Sequence, residues 1–178
     1  MKHCVYVRSS YQDFPLFLKR LDIMKATSVP SLMMQEGDFD VQVRVNNEQH
    51  AKLIASQTPF RPVLKYDFDG YDIQTRHDDD DIVKPGYIEK IQSFYDGTPK
   101  VVTFQIQKYD WNKNKTYELN SPYTTTRCSM FSSFLNPPLG VNIFSRKHGE
   151  LHQLATVEVV DEEYCFLVAH GYNKLTKV

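Results

Sequence analysis

The chain has 178 residues, 41% of them hydrophobic and 24% charged, and its 21 Lys plus Arg nearly cancel 22 Asp plus Glu to leave a formal charge of -1. That length fits one domain able to bury its own core, and the charge balance excludes a generally basic nucleic-acid wrapper and an extended acidic tail. Cys4, Cys128 and Cys165 are too few and too widely spaced for a disulfide scaffold or a cysteine-built zinc knuckle.

The opening MKHCVYVRSS is interrupted by polar residues too soon for a leader peptide, and no run approaches the length of a membrane span. A soluble, cytoplasmic protein is expected, with peripheral membrane association left to an oligomer or a lipid-borne acceptor. Val5 to Val7 read as a first strand. Phe17, Leu18, Leu21 and Met24 then mark the apolar face of a helix, with Pro15 suited to its first turn. A shorter helix fits Pro30 to Met33, stopped by Gly37. Alternation through Phe39, Val41, Val43 and Val45 predicts a strand whose polar face, Asp40, Gln42 and Arg44, looks toward a cleft or solvent.

Residues 48 to 56 carry a helical rhythm that Pro59 ends. A short strand comes next at Val63 to Tyr66, then a DFDG turn and a strand through Tyr71, Ile73 and Thr75 to His77. Beyond the four aspartates, Ile88, Ile91 and Tyr95 mark a helix entered at Pro85, and Val101 to Ile106 the next strand. A turn at 112 to 114 suggests a hairpin, NPPLG at 136 to 140 a turn-rich connection, and Val141 to Phe144 a short extended piece. Glu150 to Ala155 supply a helical turn, and Val157 to Val160 and Tyr164 to Ala169 two strands separated by acidic residues. Short strands alternating with helices predict an α/β fold with a mixed, mainly parallel sheet flanked by helices.

Asp78, Asp79, Asp80 and Asp81 are the strongest chemical feature, because four consecutive carboxylates repel unless solvent or a cation screens them. A hard divalent ion is one such cation. An exposed acidic turn before a helix whose amino end favours negative charge is the plainer reading. Position after a parallel-sheet strand, where α/β folds place ligands, favours the site.

The run TRHDDDD followed by IVKPGYIEKIQ resembles the acidic segment and succeeding helix of the rhamnosyltransferase family, which looks like a GT-A glycosyltransferase family. Looser likeness extends to VYVRSS, VPSLMMQEGDFDVQVRV, SSFLNPPLGV and CFLVAHGYN, so that the landmarks cover most of the chain. His77 stands where that family usually has leucine or isoleucine. The resemblance implies a compact GT-A-like domain over residues 1–178, with a donor-binding core at 1–107 and acceptor-side and closing elements at 108–178. It implies transfer of a sugar from a nucleoside-diphosphate sugar donor to a glycan or other hydroxyl-bearing acceptor, with Mn2+ or Mg2+ bridging the donor phosphates.

On that resemblance Asp78 and Asp80 are the counterparts of a DxD motif, contacting both donor and metal, and Asp81 is their acidic partner in metal binding and catalysis. His170 is the further metal ligand, with Gly171 permitting a close turn beside it. Arg76 and Arg8 are candidates for donor phosphate or ribose, and Asn46 for base or sugar, against ordinary surface roles and an Asx turn. Glu150 is the leading general base for an inverting reaction, with Asp110 and Glu158 as rivals; a retaining course stays open. Tyr109, Trp111, Tyr117 and Tyr123 form either an acceptor wall or a hairpin and core edge, Trp111 being the best candidate. Two other readings compete: a carbohydrate-binding or assembly protein derived from such a core, and a metal-dependent phosphoester hydrolase. Lys113 and Lys115 make too small a patch for nucleic acid.

Overall fold

The computed structural model describes residues 1–110, 112–118 and 122–170. The strands are β1 (His3–Arg8), β2 (Asp40–Arg44), β3 (Arg61–Val63), β4 (Ile73–Asp78), β5 (Ile82–Val83), β6 (Lys100–Asp110), β7 (Lys115–Glu118), β8 (Ser132–Leu135) and β9 (Thr156–Ala169). Four helices, α1 (Phe14–Ala26), α2 (Ser28–Met33), α3 (Glu48–Gln57) and α4 (Tyr87–Ser93), and a 3-10 turn at His148–Gln153 complete the elements among the described residues.

One sheet of order β3-β2-β1-β4-β8-β6-β9-β5, with β7 beside β6, joins all nine strands. The pairings give β1, β2, β3, β4, β6 and β9 one direction and β5, β7 and β8 the other. Register is set by burial: Val5 and Val7 of β1 face the helices, packing with Phe17, Leu21 and Met24 of α1, while Cys4 and Tyr6 face the opposite side. That second face is covered by loops instead of helices, through Tyr66, Ile143 and Leu151.

Local chemistry fixes the helix entries. Asp13 caps α1 by accepting from the Leu16 amide at 2.7 Å, and Asn47 caps α3 by accepting from the His50 amide at 2.9 Å, each satisfying an amide that the first turn leaves without a carbonyl. Gly86 enters α4 at φ +85°, a left-handed conformation that a side chain would strain.

The structure corrects several expectations. Arg61–Val63 forms the strand expected at Val63 to Tyr66, and the stretch at Val141 to Phe144 is turn, not strand. The two strands expected at Val157 to Val160 and Tyr164 to Ala169 are one, β9. Their interruption is a bulge: β6 pairs Phe104 with Val160 and Ile106 with Cys165, so that 161–164 oppose Gln105 alone. Beyond the bulge β9 also pairs with β5, Val83 opposite Cys165. This brings the end of β9 over the turn at the end of β4. No helix among the described residues is long and apolar enough to cross a membrane.

Candidate functional site

Strand alternation sorts the acid run. Arg8 and Asp78 are partners in the β1–β4 register, as are Tyr6 and Arg76, so both Arg76 and Asp78 stand on the loop-covered face. His77 falls on the helix face, buried against Phe131. A turn begins at once after Asp78, closed by the Asp81 amide donating to the Asp78 carbonyl at 3.3 Å. The four carboxylates therefore do not share one environment.

Asp79 and Asp80 turn inward to Arg20 of α1. The guanidinium donates through Nη1 to Asp80 Oδ2 at 2.7 Å and through Nη2 to Asp79 Oδ1. His170 Nε2 lies 2.8 Å from both Arg20 Nη1 and Asp80 Oδ2, and the Tyr11 hydroxyl donates to Asp79 Oδ1 at 3.1 Å. Arg20 and both aspartates are at most 7% exposed. Burial pushes the Asp79 carboxyl up to about 6, although Arg20 opposes the rise. At Asp80 burial acts the same way, but the bonds from His170 and Arg20 outweigh it and hold the carboxyl below the usual range. Asp81 is sealed in: Oδ1 accepts from the Val168 amide at 3.3 Å, and burial, reinforced by its acidic neighbours, raises its carboxyl well above the usual range.

Sequence reasoning asks for a cation among these acids, and among the described residues Arg20 supplies one. It lies on the inward stripe Phe17, Arg20, Leu21 and Met24, and a charged residue at that spacing is the signal that could have revealed it. The donor set expected for Mn2+ or Mg2+ is Asp78, Asp80, Asp81 and His170. Within it, Asp80 Oδ2 and His170 Nε2 are engaged with each other and with the guanidinium. Asp79 Oδ2 and Asp81 Oδ2 are buried without a hydrogen-bond partner, the first on the carboxylate that Arg20 already engages and the second on a side chain sealed from solvent. Among the described residues no three His, Cys, Asp or Glu side chains are grouped to hold a metal ion. The residues as arranged do not fit a divalent ion.

Asp78 opens instead onto the outer face. It is 24% exposed and lies 3.4 Å from Arg8 Nη2, itself 56% exposed. In the β1–β2 register Arg44 stands opposite Arg8. Tyr66 sits at the centre of this group. Its hydroxyl donates to the Val7 carbonyl at 2.8 Å, its ring stacks on Phe144 with centroids 5.1 Å apart, and the Arg44 guanidinium lies 6.0 Å from the ring centroid. The Arg76 guanidinium lies 5.0 Å from the Phe144 centroid. Burial raises the Tyr66 hydroxyl above its ordinary range; Arg44, Arg8 and Arg76 pull it down and Asp78 pushes it up, so all four charges reach it. Burial, and then the Arg8 cation, lowers Arg76 against the pull of Asp78. Three guanidiniums and one carboxylate thus share a half-open surface at the carboxyl ends of β1, β2 and β4. Sequence reasoning misses Arg44 and Tyr66 as site residues, although it turns the polar face of β2 toward a cleft or solvent.

The remaining candidates are dispersed. Asn46 is exposed just beyond β2, while its neighbour Asn47 is the helix cap. Glu150 is half-buried on the 3-10 turn that also carries His148. Burial holds the His148 imidazole below its ordinary range; the Cys128 carbonyl and Asp78 oppose this and Arg76 and Arg8 add to it, so charges of the outer face reach this residue. Asp110 accepts from the Asn112 and Lys113 amides and shapes the β6–β7 turn. Glu158 is exposed on β9. Tyr109 and Tyr117 belong to the β6–β7 hairpin, and Tyr123 packs at the core edge. Trp111 and Gly171 lie outside the described residues.

Comparison with solved structures finds the fold elsewhere. S. aureus TarS residues 1–349 in complex with UDP-GlcNAc superimposes with a TM-score of 0.63 at 11% identity, over 100% of this chain and 61% of that one. The complex of the same fragment with UDP gives 0.57 at 14% identity, over 95% and 61%. A further S. aureus TarS structure gives 0.61 at 11% identity, over 95% and 37%. The chain thus spans about three fifths of the length of the first of these structures. No family model matches the sequence, and no curated protein does. The chain shares the GT-A-like, mixed α/β fold of these structures.

Proposed function

We propose that the chain transfers a sugar from a nucleoside-diphosphate sugar to an acceptor hydroxyl. The observation that carries this reading is the convergence of Arg8, Arg44 and Arg76 with Asp78 around Tyr66, at the carboxyl ends of adjacent parallel strands, where open α/β sheets bind their ligands. Three cations against one carboxylate leave an excess of positive charge suited to a diphosphate, and guanidinium forks match phosphate oxygens. The TarS fragment of like fold is bound to UDP-GlcNAc in one structure and UDP in another, which supports a nucleotide-sugar donor.

In this reading the arginines hold the donor phosphates and bear the negative charge that builds on the leaving diphosphate as the glycosidic C–O bond breaks. Asp78 accepts from a donor hydroxyl. Glu150, on the 3-10 turn that also carries His148, takes the proton of the attacking acceptor hydroxyl. Asp81, being buried, supports the turn from below. Residues 1–107 form the donor side and the remainder the acceptor side. Rhamnose is the first sugar to test, on the strength of the sequence resemblance.

The test is a panel of UDP-, dTDP- and GDP-sugars, dTDP-rhamnose included, monitored by saturation-transfer NMR and by release of the nucleoside diphosphate. Binding of at least one donor, weakened in Arg76→Ala, is expected. Failure of every donor to bind overturns the reading. Donor binding without transfer selects a carbohydrate-binding or assembly protein, and phosphate release from simple esters selects a hydrolase.

A further inference from the structure

We infer that Arg20 takes the place of a divalent cation in the acid cluster, so that this chain binds the diphosphate of its donor without a metal ion. The part concerning the diphosphate rests on the donor reading above; the part concerning Arg20 stands on the cluster alone. Consecutive carboxylates drawn out of water need a positive charge held close to them. A divalent ion bound from solvent and a guanidinium built into the chain are alternative ways to supply it. Here α1 delivers Arg20 from its apolar face, and its two terminal nitrogens reach Asp79 and Asp80.

Competition for the same atoms is what decides between them. Asp80 Oδ2 would be an anionic ligand, yet it accepts from Arg20 Nη1 at 2.7 Å; His170 Nε2 would be a neutral one, yet it lies 2.8 Å from that nitrogen. A guanidinium keeps its charge at any working pH. A cation entering between Asp80 and His170 must therefore displace Arg20 or sit against it. The donor's charge, meanwhile, has a separate counter-charge on the outer face. Among the described residues the half-buried Arg76 guanidinium makes no hydrogen bond; it lies 5.0 Å from the Phe144 ring centroid, with Asp78, Arg8 and Tyr66 within electrostatic reach.

Two measurements on the full chain test this. Titration of Mn2+ alone, monitored by electron paramagnetic resonance, is expected to show only free ion with the wild type. Arg20→Met, which keeps an apolar stem without the guanidinium and its charge, is expected to gain Mn2+ binding that Asp80→Asn added to it abolishes. Calorimetry with inorganic pyrophosphate, which has no base to mismatch, is expected to show binding in EDTA with no metal required, and about tenfold weaker binding in Arg76→Ala from loss of a charged hydrogen bond. Mn2+ bound by the wild type and lost in Asp80→Asn, or pyrophosphate bound only with metal, overturns the inference. If Arg20→Met does not fold, the wild-type titration decides alone. Pyrophosphate binding in neither condition defeats the donor reading, while the Mn2+ titration still judges Arg20.

Discussion

Two charged regions lie back to back at the end of β4. Inside, Arg20, Asp79, Asp80 and His170 form a buried knot. Outside, Arg8, Arg44, Arg76 and Asp78 share a surface with surplus positive charge. The aspartates of both come from one run of sequence, divided by which way each side chain leaves the strand. Burial makes the inner charges depend on one another, whereas the outer ones are paired loosely and keep bonding capacity for something else. Chemical prominence in a sequence and chemical availability in a fold are therefore different properties: the four aspartates are conspicuous, and the arginines are available.

The sharpest way to break the comparison is Arg20→Ala. Removing the guanidinium leaves buried carboxylates uncompensated, and a loss of about 3–5 kcal/mol is expected, read as a lower urea midpoint. A change near zero would mean that the inner region is solvated after all. A smaller effect of opposite sign is expected at His77, which is 2% exposed with neither ring nitrogen hydrogen-bonded and whose imidazole burial drives down to about 4. His77→Leu should stabilise the fold by about 1–3 kcal/mol, since it removes unsatisfied polar atoms from the interior, and thermal denaturation at neutral pH measures it. Equal or lower stability would point to a polar partner for this ring. Smallest of all is the stability change for Arg8→Ala, at most about 1 kcal/mol because its ion pair with Asp78 is largely exposed. An effect as large as that of Arg20→Ala would erase the distinction between the two regions.

How far each region is legible in the sequence obeys the same division. β1, β2, α1 and α3 are legible because Val5 and Val7, Val41 and Val43, or Phe17, Leu21 and Met24 repeat at the period of their element. Arg8, Arg76 and Asp78 can be named because they end or lie beside the ends of such strands. β5 has two residues, too few for any period, and β9 reads as two strands because Asp161, Glu162 and Glu163 break its alternation at the bulge. Arg20 is not singled out in the sequence because its role needs β4 to end under α1, a contact across 60 residues. Arg44 and Tyr66 need the parallel register of β1 with β2, which short-range pattern does not carry. Local repetition builds the scaffold; long-range pairing decides which charges meet.

The bulge at 161–164 has a meaning for changes in chain length. Ahead of it β9 is held in phase by β6, and behind it by both β6 and β5, so the excess residues act as slack between two anchored halves. An insertion or deletion among the exposed acids at 161–163 is taken up there without moving the residues downstream. The same change between Cys165 and Ala169 swaps inside for outside and carries His170 away from Asp80. Gaps in related chains should therefore collect in the first stretch and be absent from the second.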